Sequence, residues 1–341
     1  MAPSHYRRAV VIGGTGFLGR HICTALAAQG HDVLAIARKA ADPIPRTAFT
    51  ALDILTADDT EISAALSGAE LVINAAGDAW QGDEAAMAAS HQPLVQRLVD
   101  ALAAHARRPR LIHLGSVHEY GPLTPPHPVT EDHTPAPGTV YARTKLAAST
   151  HILDATEAGH IDGCVLRVTN VCGPGLPPGS FLGHLTRQLR HTQQTGQPLS
   201  LTLADDQRDY IDVRDVATAV LHAATAPVTG RVINIGQGHP TPIRELAHQL
   251  IALSGLPPHL IHTRTAPLTS NGSGWTSVDT GLATRLLDWT PRIPLDQSLH
   301  DQWATPTEPT AEAGSAAPAT PTKPAGPASP GEPVSSSDEG H

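Results

Sequence analysis

Cysteine is scarce in this chain of 341 residues: Cys23, Cys164 and Cys172 are too few and too unevenly spaced for a disulfide framework or a zinc site, which favours a reducing compartment. Long apolar runs are also missing. No stretch approaches the roughly 20 apolar residues that a bilayer span requires. The N-terminus passes from Arg7 and Arg8 into a short apolar strand and then glycines, without a signal peptide's apolar region and cleavage site. These absences predict a cytoplasmic protein with no membrane partner. A basic stripe is lacking as well. The net charge is −9, and the end of the chain contributes Glu308, Glu312, Glu332, Asp338 and Glu339 against Lys323, leaving a mildly acidic remainder. A nucleic-acid binder must set cations against phosphates, so nucleic acid is excluded as a partner. Histidine is plentiful at 20 residues. No HxH, HxxxH or HExxH grouping brings two ligands together, so the histidines are expected on surfaces and loops, with no metal.

What is present is alternation, with 40% apolar residues to build a core. Short apolar runs at 9–12, 32–37, 48–52, 70–74, 110–115 and 163–168 read as buried strands. Helical patterns at 20–29, 58–66, 84–105 and 141–158 separate them, which predicts an α/β protein with a doubly wound parallel sheet over residues 1–170. Beyond Asn170 a turn-rich loop leads to helices at 180–195, 212–224 and 243–254 and a strand at 231–235. This stretch, 171–303, is expected to form a smaller C-terminal substrate-binding lobe with elements returning to the core. Pro, Ala, Thr, Ser and Gly dominate 304–341, a composition that cannot offset its ordering entropy and predicts a disordered tail.

The first strand runs into Gly13-Gly14-Thr15-Gly16-Phe17-Leu18-Gly19, a GxxGxxG turn ahead of a helix. In a Rossmann fold Gly13 permits the tight turn, Gly16 lets backbone approach a pyrophosphate, and Gly19 lets the helix pack closely. The helix N-terminus then attracts the anion. An acidic residue closing the second strand would select NAD, but here Ala37 is followed by Arg38 and Lys39. Two cations without a carboxylate favour NADP(H) over NAD(H), since a guanidinium pairs bidentately with phosphate; solvated loop charges are the competing reading. Asp53, with Ile54 beside it, is placed to hold the adenine amino group, or is an ordinary loop carboxylate.

Tyr141 and Lys145 are four apart in YARTK, hence on one face of a helix. A phenol titrates near ~10, and a neighbouring cation, with a positive nicotinamide ring nearby, favours the phenolate, which would make Tyr141 an acid and base near neutral pH. Ser116 follows the run LIHLG and should emerge at a strand's carboxyl end, where open α/β sheets hold ligands and where its hydroxyl could polarise a substrate oxygen.

With these motifs the sequence resembles the extended short-chain dehydrogenase/reductase family, in particular its NAD(P)-dependent epimerase/dehydratase group acting on nucleotide sugars. The likeness covers roughly Arg8 to Trp303, through GGTGFLG, NAAG at 74–77, Ser116 four residues before Tyr120-Gly121, the Tyr141/Lys145 pair, LRVTNVCGPG at 166–175, RDYIDV at 208–213 and NIG at 234–236. It implies that Ser116, Tyr141 and Lys145 are catalytic, that Ala75, Ala76 and Gly77 lie beside the cofactor, and that Asn170 and Arg208 grip a substrate diphosphate. Val117-His118 replaces the Asp-Glu pair with which similar dehydratases eliminate water, so dehydration is disfavoured. His118 then either faces the substrate or packs at the strand end. The resemblance, with Arg38 and Lys39, implies an NAD(P)H-dependent ketoreductase of a nucleotide-linked 4-keto-deoxysugar. A nucleotide-sugar 4-epimerase is the alternative, a non-catalytic dinucleotide sensor the less favoured one, and a homodimer is a further implication.

Overall fold

A computed structural model describes residues 8–77, 84–105, 107–266 and 274–306, with only the backbone for 84–90. Seven parallel strands form its centre in the order β3-β2-β1-β4-β5-β6-β11. In chain order these are β1 (Arg8–Ile12), β2 (Asp32–Ala37), β3 (Thr47–Ala51), β4 (Leu71–Asn74), β5 (Arg110–Ser116) and β6 (Asp162–Val168), while β11 (Val232–Ile235) arrives much later. The order reverses between β1 and β4, which opens a crevice at their carboxyl ends.

Alternate residues of each strand feed two different cores, as the twofold repeat of a strand requires. Ala9, Val11, Val33, Ala35, Ile73 and Ile112 face α1 (Phe17–Ala28), α6 (Val213–Ala223) and α8 (Gly281–Leu287). Val10, Ile12, Leu34, Ile36, Val72 and Leu111 face α2 (Asp59–Leu66), α3 (Glu84–Ala103) and α4 (Val140–Glu157). Helix starts lie where local caps place them. Gly16, in extended backbone, begins α1 three residues earlier than the apolar periodicity predicts. Thr139 Oγ1 accepts the Ala142 N–H at 3.1 Å and so sets Tyr141 in the first turn of α4.

A third core gathers beside the sheet. It packs α5 (Phe181–Thr195), α7 (Ile243–Ser254) and α9 (Leu295–Ala304) around Leu182, Leu185, Leu189, Leu246, Leu250 and Leu299. Short strand pairs edge it: β7 (Asn170–Cys172) with β10 (Tyr210–Asp212), β9 (Gln207–Arg208) with β12 (Thr241–Pro242), and β8 (Leu199–Leu203) with β13 (Ile261–Thr265). Residue 304 ends α9 rather than starting a tail, because Trp303 continues that helix and stacks on the Arg190 guanidinium. The rest of the expected tail, from residue 307, lies outside the described residues. No described helix is long and apolar enough to cross a membrane, and all three cysteines are free and buried.

Candidate active site

The crevice begins with the glycine turn. Gly13 has φ +75°, and a Cβ there would lie 2.8 Å from the Ala76 backbone, so the turn after β1 and the loop after β4 touch only because no side chain intervenes. At Gly19 a Cβ would lie 2.1 Å from the Gly13 carbonyl oxygen, which fixes how closely α1 docks under the turn. No side chain caps α1, and its first turn carries no acidic residue, so the positive helix end faces the crevice. This cradle fits a dinucleotide pyrophosphate. Thr15, Phe17 and Leu18 complete the turn. Phe17 meets His21 edge-on and packs toward the third core, and Leu18 packs onto the first.

Ala75, Ala76 and Gly77 follow β4 at the same end of the sheet, with Asn74 Oδ1 accepting the Ala76 N–H at 3.1 Å. Arg38 and Lys39 stand exposed just past β2. Asp53 Oδ1 accepts the Leu55 N–H at 3.0 Å and so shapes its own turn. The Ile54 side chain is buried in the α2–α4 core, and its carbonyl accepts from Arg97 at 2.8 Å.

Ser116 is the last residue of β5 and is buried. Its hydroxyl lies close enough to the Tyr141 phenol to influence its titration, and its Oγ accepts the His118 N–H at 3.3 Å. Lys145 lies one turn further along α4, buried, with Nζ donating to the Leu114 carbonyl at 2.5 Å and 3.9 Å from where a Gly77 Cβ would stand. The structure thus brings Ser116, Tyr141, Lys145 and Gly77, in the loop after β4, together.

Burial pushes the Tyr141 phenol up to about 12, with Ser116 opposing and the Glu119 carboxylate reinforcing the rise. Tyr141 is therefore a fully protonated donor at neutral pH. Lys145 moves toward neutrality, drawn down to about 8 by burial against the pull of Glu119.

The expectation of surface histidines fails in this site. His118 and His91 each meet the Tyr141 ring edge-on at 6.0 Å between centroids. Burial, with the Arg208 charge adding to it, pushes His118 down to about 4, so it is neutral and close to that guanidinium. His113 is buried on β5, 3.1 Å from Asn74, and burial drives it well below its ordinary value. It occupies an apolar run, and only its long-range neighbours mark it as part of the site. Among the described residues no cluster of histidines, cysteines and carboxylates could hold a metal.

Arg208, at 8% exposure, is no surface charge; it donates to Asp206 at 2.7 Å. Asn170 Nδ2 donates to the Asp209 carbonyl at 3.1 Å, which ties β7 to the same segment. Asp209 itself is fully buried and accepts backbone N–H groups from Gln237 at 2.8 Å and Gly238 at 3.0 Å.

The chain is similar to known proteins. The model of the NAD dependent epimerase/dehydratase family matches residues 9–236. The chain is 38% identical over 310 residues to the dTDP-6-deoxy-L-talose 4-dehydrogenase (NAD(P)(+)) of Kitasatospora kifunensis, covering 89% of this chain and 97% of that one. It is 28% identical over 306 residues to the GDP-6-deoxy-D-mannose reductase of Pseudomonas aeruginosa, covering 86% and 95%. Among solved structures, MoeE5 in complex with UDP-glucuronic acid and NAD aligns with TM-score 0.77 at 25% identity, over 87% of this chain and 98% of that chain. RMD from Pseudomonas aeruginosa complexed with NADPH aligns with TM-score 0.73 at 24% identity, over 87% and 98%, and shows the shared fold.

Proposed function

The chain belongs to the NAD dependent epimerase/dehydratase family, and from that premise we propose that it is an NAD(P)H-dependent ketoreductase acting on a nucleotide-linked 4-keto-deoxysugar, with NADP(H) favoured over NAD(H). The observation that carries this reading is the approach of the Tyr141 hydroxyl, on α4 one turn before Lys145, to Ser116 at the carboxyl end of β5. The dinucleotide, when bound, supplies the hydride. Ser116 and Tyr141 converge on one point where a carbonyl oxygen would accept from both hydroxyls. A phenol held up to about 12 is loaded with its proton at neutral pH, which suits delivery to an oxygen gaining negative charge. Lys145 adds a cation on the Gly77 side, where it would hold the nicotinamide ribose. Arg208 and Asn170 would hold the substrate diphosphate, with neutral His118 between Arg208 and Tyr141 lining the sugar side. Arg38 and Lys39 would meet the extra phosphate of NADPH.

The names of the two relatives aligned over nearly their whole length support this class, since both describe oxidoreductases of nucleotide-linked 6-deoxysugars. The test is incubation of the purified chain with nucleotide-linked 4-ketosugars and NADPH while nicotinamide absorbance is followed. Stoichiometric loss of absorbance with a hydroxysugar product is expected. Interconversion of hydroxysugars with the nicotinamide retained would instead establish the 4-epimerase.

A further inference from the structure

Beneath Ser116 and Lys145 lies a carboxylate that the proposed proton transfer does not use. Glu119, in the single turn Val117–Tyr120 after β5, is fully buried. Its Oε1 accepts the Ser116 N–H at 2.8 Å and the Ser149 hydroxyl at 3.0 Å, and its Oε2 accepts Arg167 Nε at 2.8 Å. Arg167, on β6, is buried as well and lays its guanidinium 4.5 Å over the Tyr120 ring. A Cβ at Gly115 would come within 2.6 Å of Glu119 Oε1, so β5 leaves the room this carboxylate occupies. An ion pair withdrawn from water is costly unless its hydrogen bonds are met. Here the partners are the elements that carry the site: the strand end bearing Ser116, the helix bearing Tyr141 and Lys145, and the neighbouring strand. Ser149 is one helical turn beyond Lys145, on the same face of α4.

We propose that Glu119, paired with Arg167, is a positioning residue that fastens Ser116 to α4 and supplies the negative charge that Lys145 faces. The groups around Lys145 leave Glu119 that part. From β5 come the Leu114 carbonyl and His113, from α3 His91 through its coupling to His113, from the loop after β4 Gly77, and from α4 itself Tyr141. Arg167 stands behind Glu119 on β6. Burial draws Lys145 down to about 8, and the Glu119 charge opposes that fall.

The role in turnover rests on the proposed reductase function, but the charge of Lys145 can be read without substrate. The sequence has three lysines, Lys39, Lys145 and Lys323, so the full chain labelled with carbon-13 lysine gives a side-chain spectrum simple enough to titrate, with Lys145 assigned through Lys145→Arg. Glu119→Gln is expected to lower the Lys145 midpoint by about one pH unit, the size of shift a nearby charge produces. Arg167→Gln, which unmasks the carboxylate, shifts it upward, and Glu119→Asp restores most of the original value. The pH above which turnover falls moves with the midpoint. A folded Glu119→Gln protein whose Lys145 titrates as in the unaltered chain overturns the proposal, and so does an unmoved midpoint in folded Arg167→Gln if Glu119→Gln does not fold. Failure to reduce any ketosugar would count against the proposed function and leave the titration to judge Glu119.

Discussion

Ser116 closes a strand of 7 residues and Tyr141 and Lys145 sit on a helix of 18, whereas Arg208 stands in a strand of 2 residues and Asn170 opens one of 3. The groups that would move a proton are thus built into the long, doubly covered elements of the parallel sheet. Those that would hold the substrate hang on short pairs whose partners are far away in sequence, Asn170 opposite Tyr210 and Arg208 opposite Thr241. Chemistry requires fixed distances, and a strand buried on both faces provides them. Substrate grip tolerates variation, and short strand pairs commit fewer residues to a core than the seven-strand sheet does.

This division can be broken deliberately. The largest effect is expected from Tyr141→Phe, which removes the transferable proton and should lower kcat by about 10²–10⁴-fold, with NADPH affinity unchanged in a fluorescence titration. Gly19→Ala would force a Cβ to within 2.1 Å of the Gly13 carbonyl oxygen. The shift of α1 that this demands should cost about 1–3 kcal/mol in thermal unfolding and weaken dinucleotide binding more than substrate binding. Arg208→Ala should act in the opposite sense, raising KM for the nucleotide sugar by about tenfold or more, as the loss of a charge-assisted hydrogen bond does, while kcat changes little. Arg38→Ala, on an exposed side chain, should narrow the preference for NADPH over NADH by no more than about tenfold. The pH profile sharpens the comparison further: Lys145 loses its proton as pH rises through about 8, so turnover should fall on that side while substrate affinity holds.

The same contrast explains how much could be read in advance. The sheet and its helices were legible because each strand is a continuous apolar run and each helix repeats its apolar face over several turns. The glycine turn and the Tyr-x-x-x-Lys spacing are local too, so their positions follow once the strands are known. The short strands carry no pattern of their own, and β8 and β13 pair across 62 residues, as Thr202 does with Arg264. The histidines escape a sequence reading for a related reason. His113 looks like one more member of an apolar strand, and its neighbours Asn74, His91 and Lys145 come from three other elements. Spacing shows a cation near Tyr141 but not the burial that raises its phenol.

Strand β11 has one more consequence. The chain leaves the sheet after β6, builds β7 to β10, crosses back through α6 to add β11 beside β6, and departs again into β12 and α7. On β11, Asn234 accepts the Tyr120 hydroxyl at 2.8 Å and donates to the Val129 carbonyl at 3.0 Å, so the returning strand is buttoned to the turn that carries His118 and Glu119. Such interlacing forbids cutting the polypeptide at any single point into an intact sheet and a separable cap. Grafting a different substrate-gripping segment onto this scaffold would have to be done as several short exchanges, each leaving the returning strand in place.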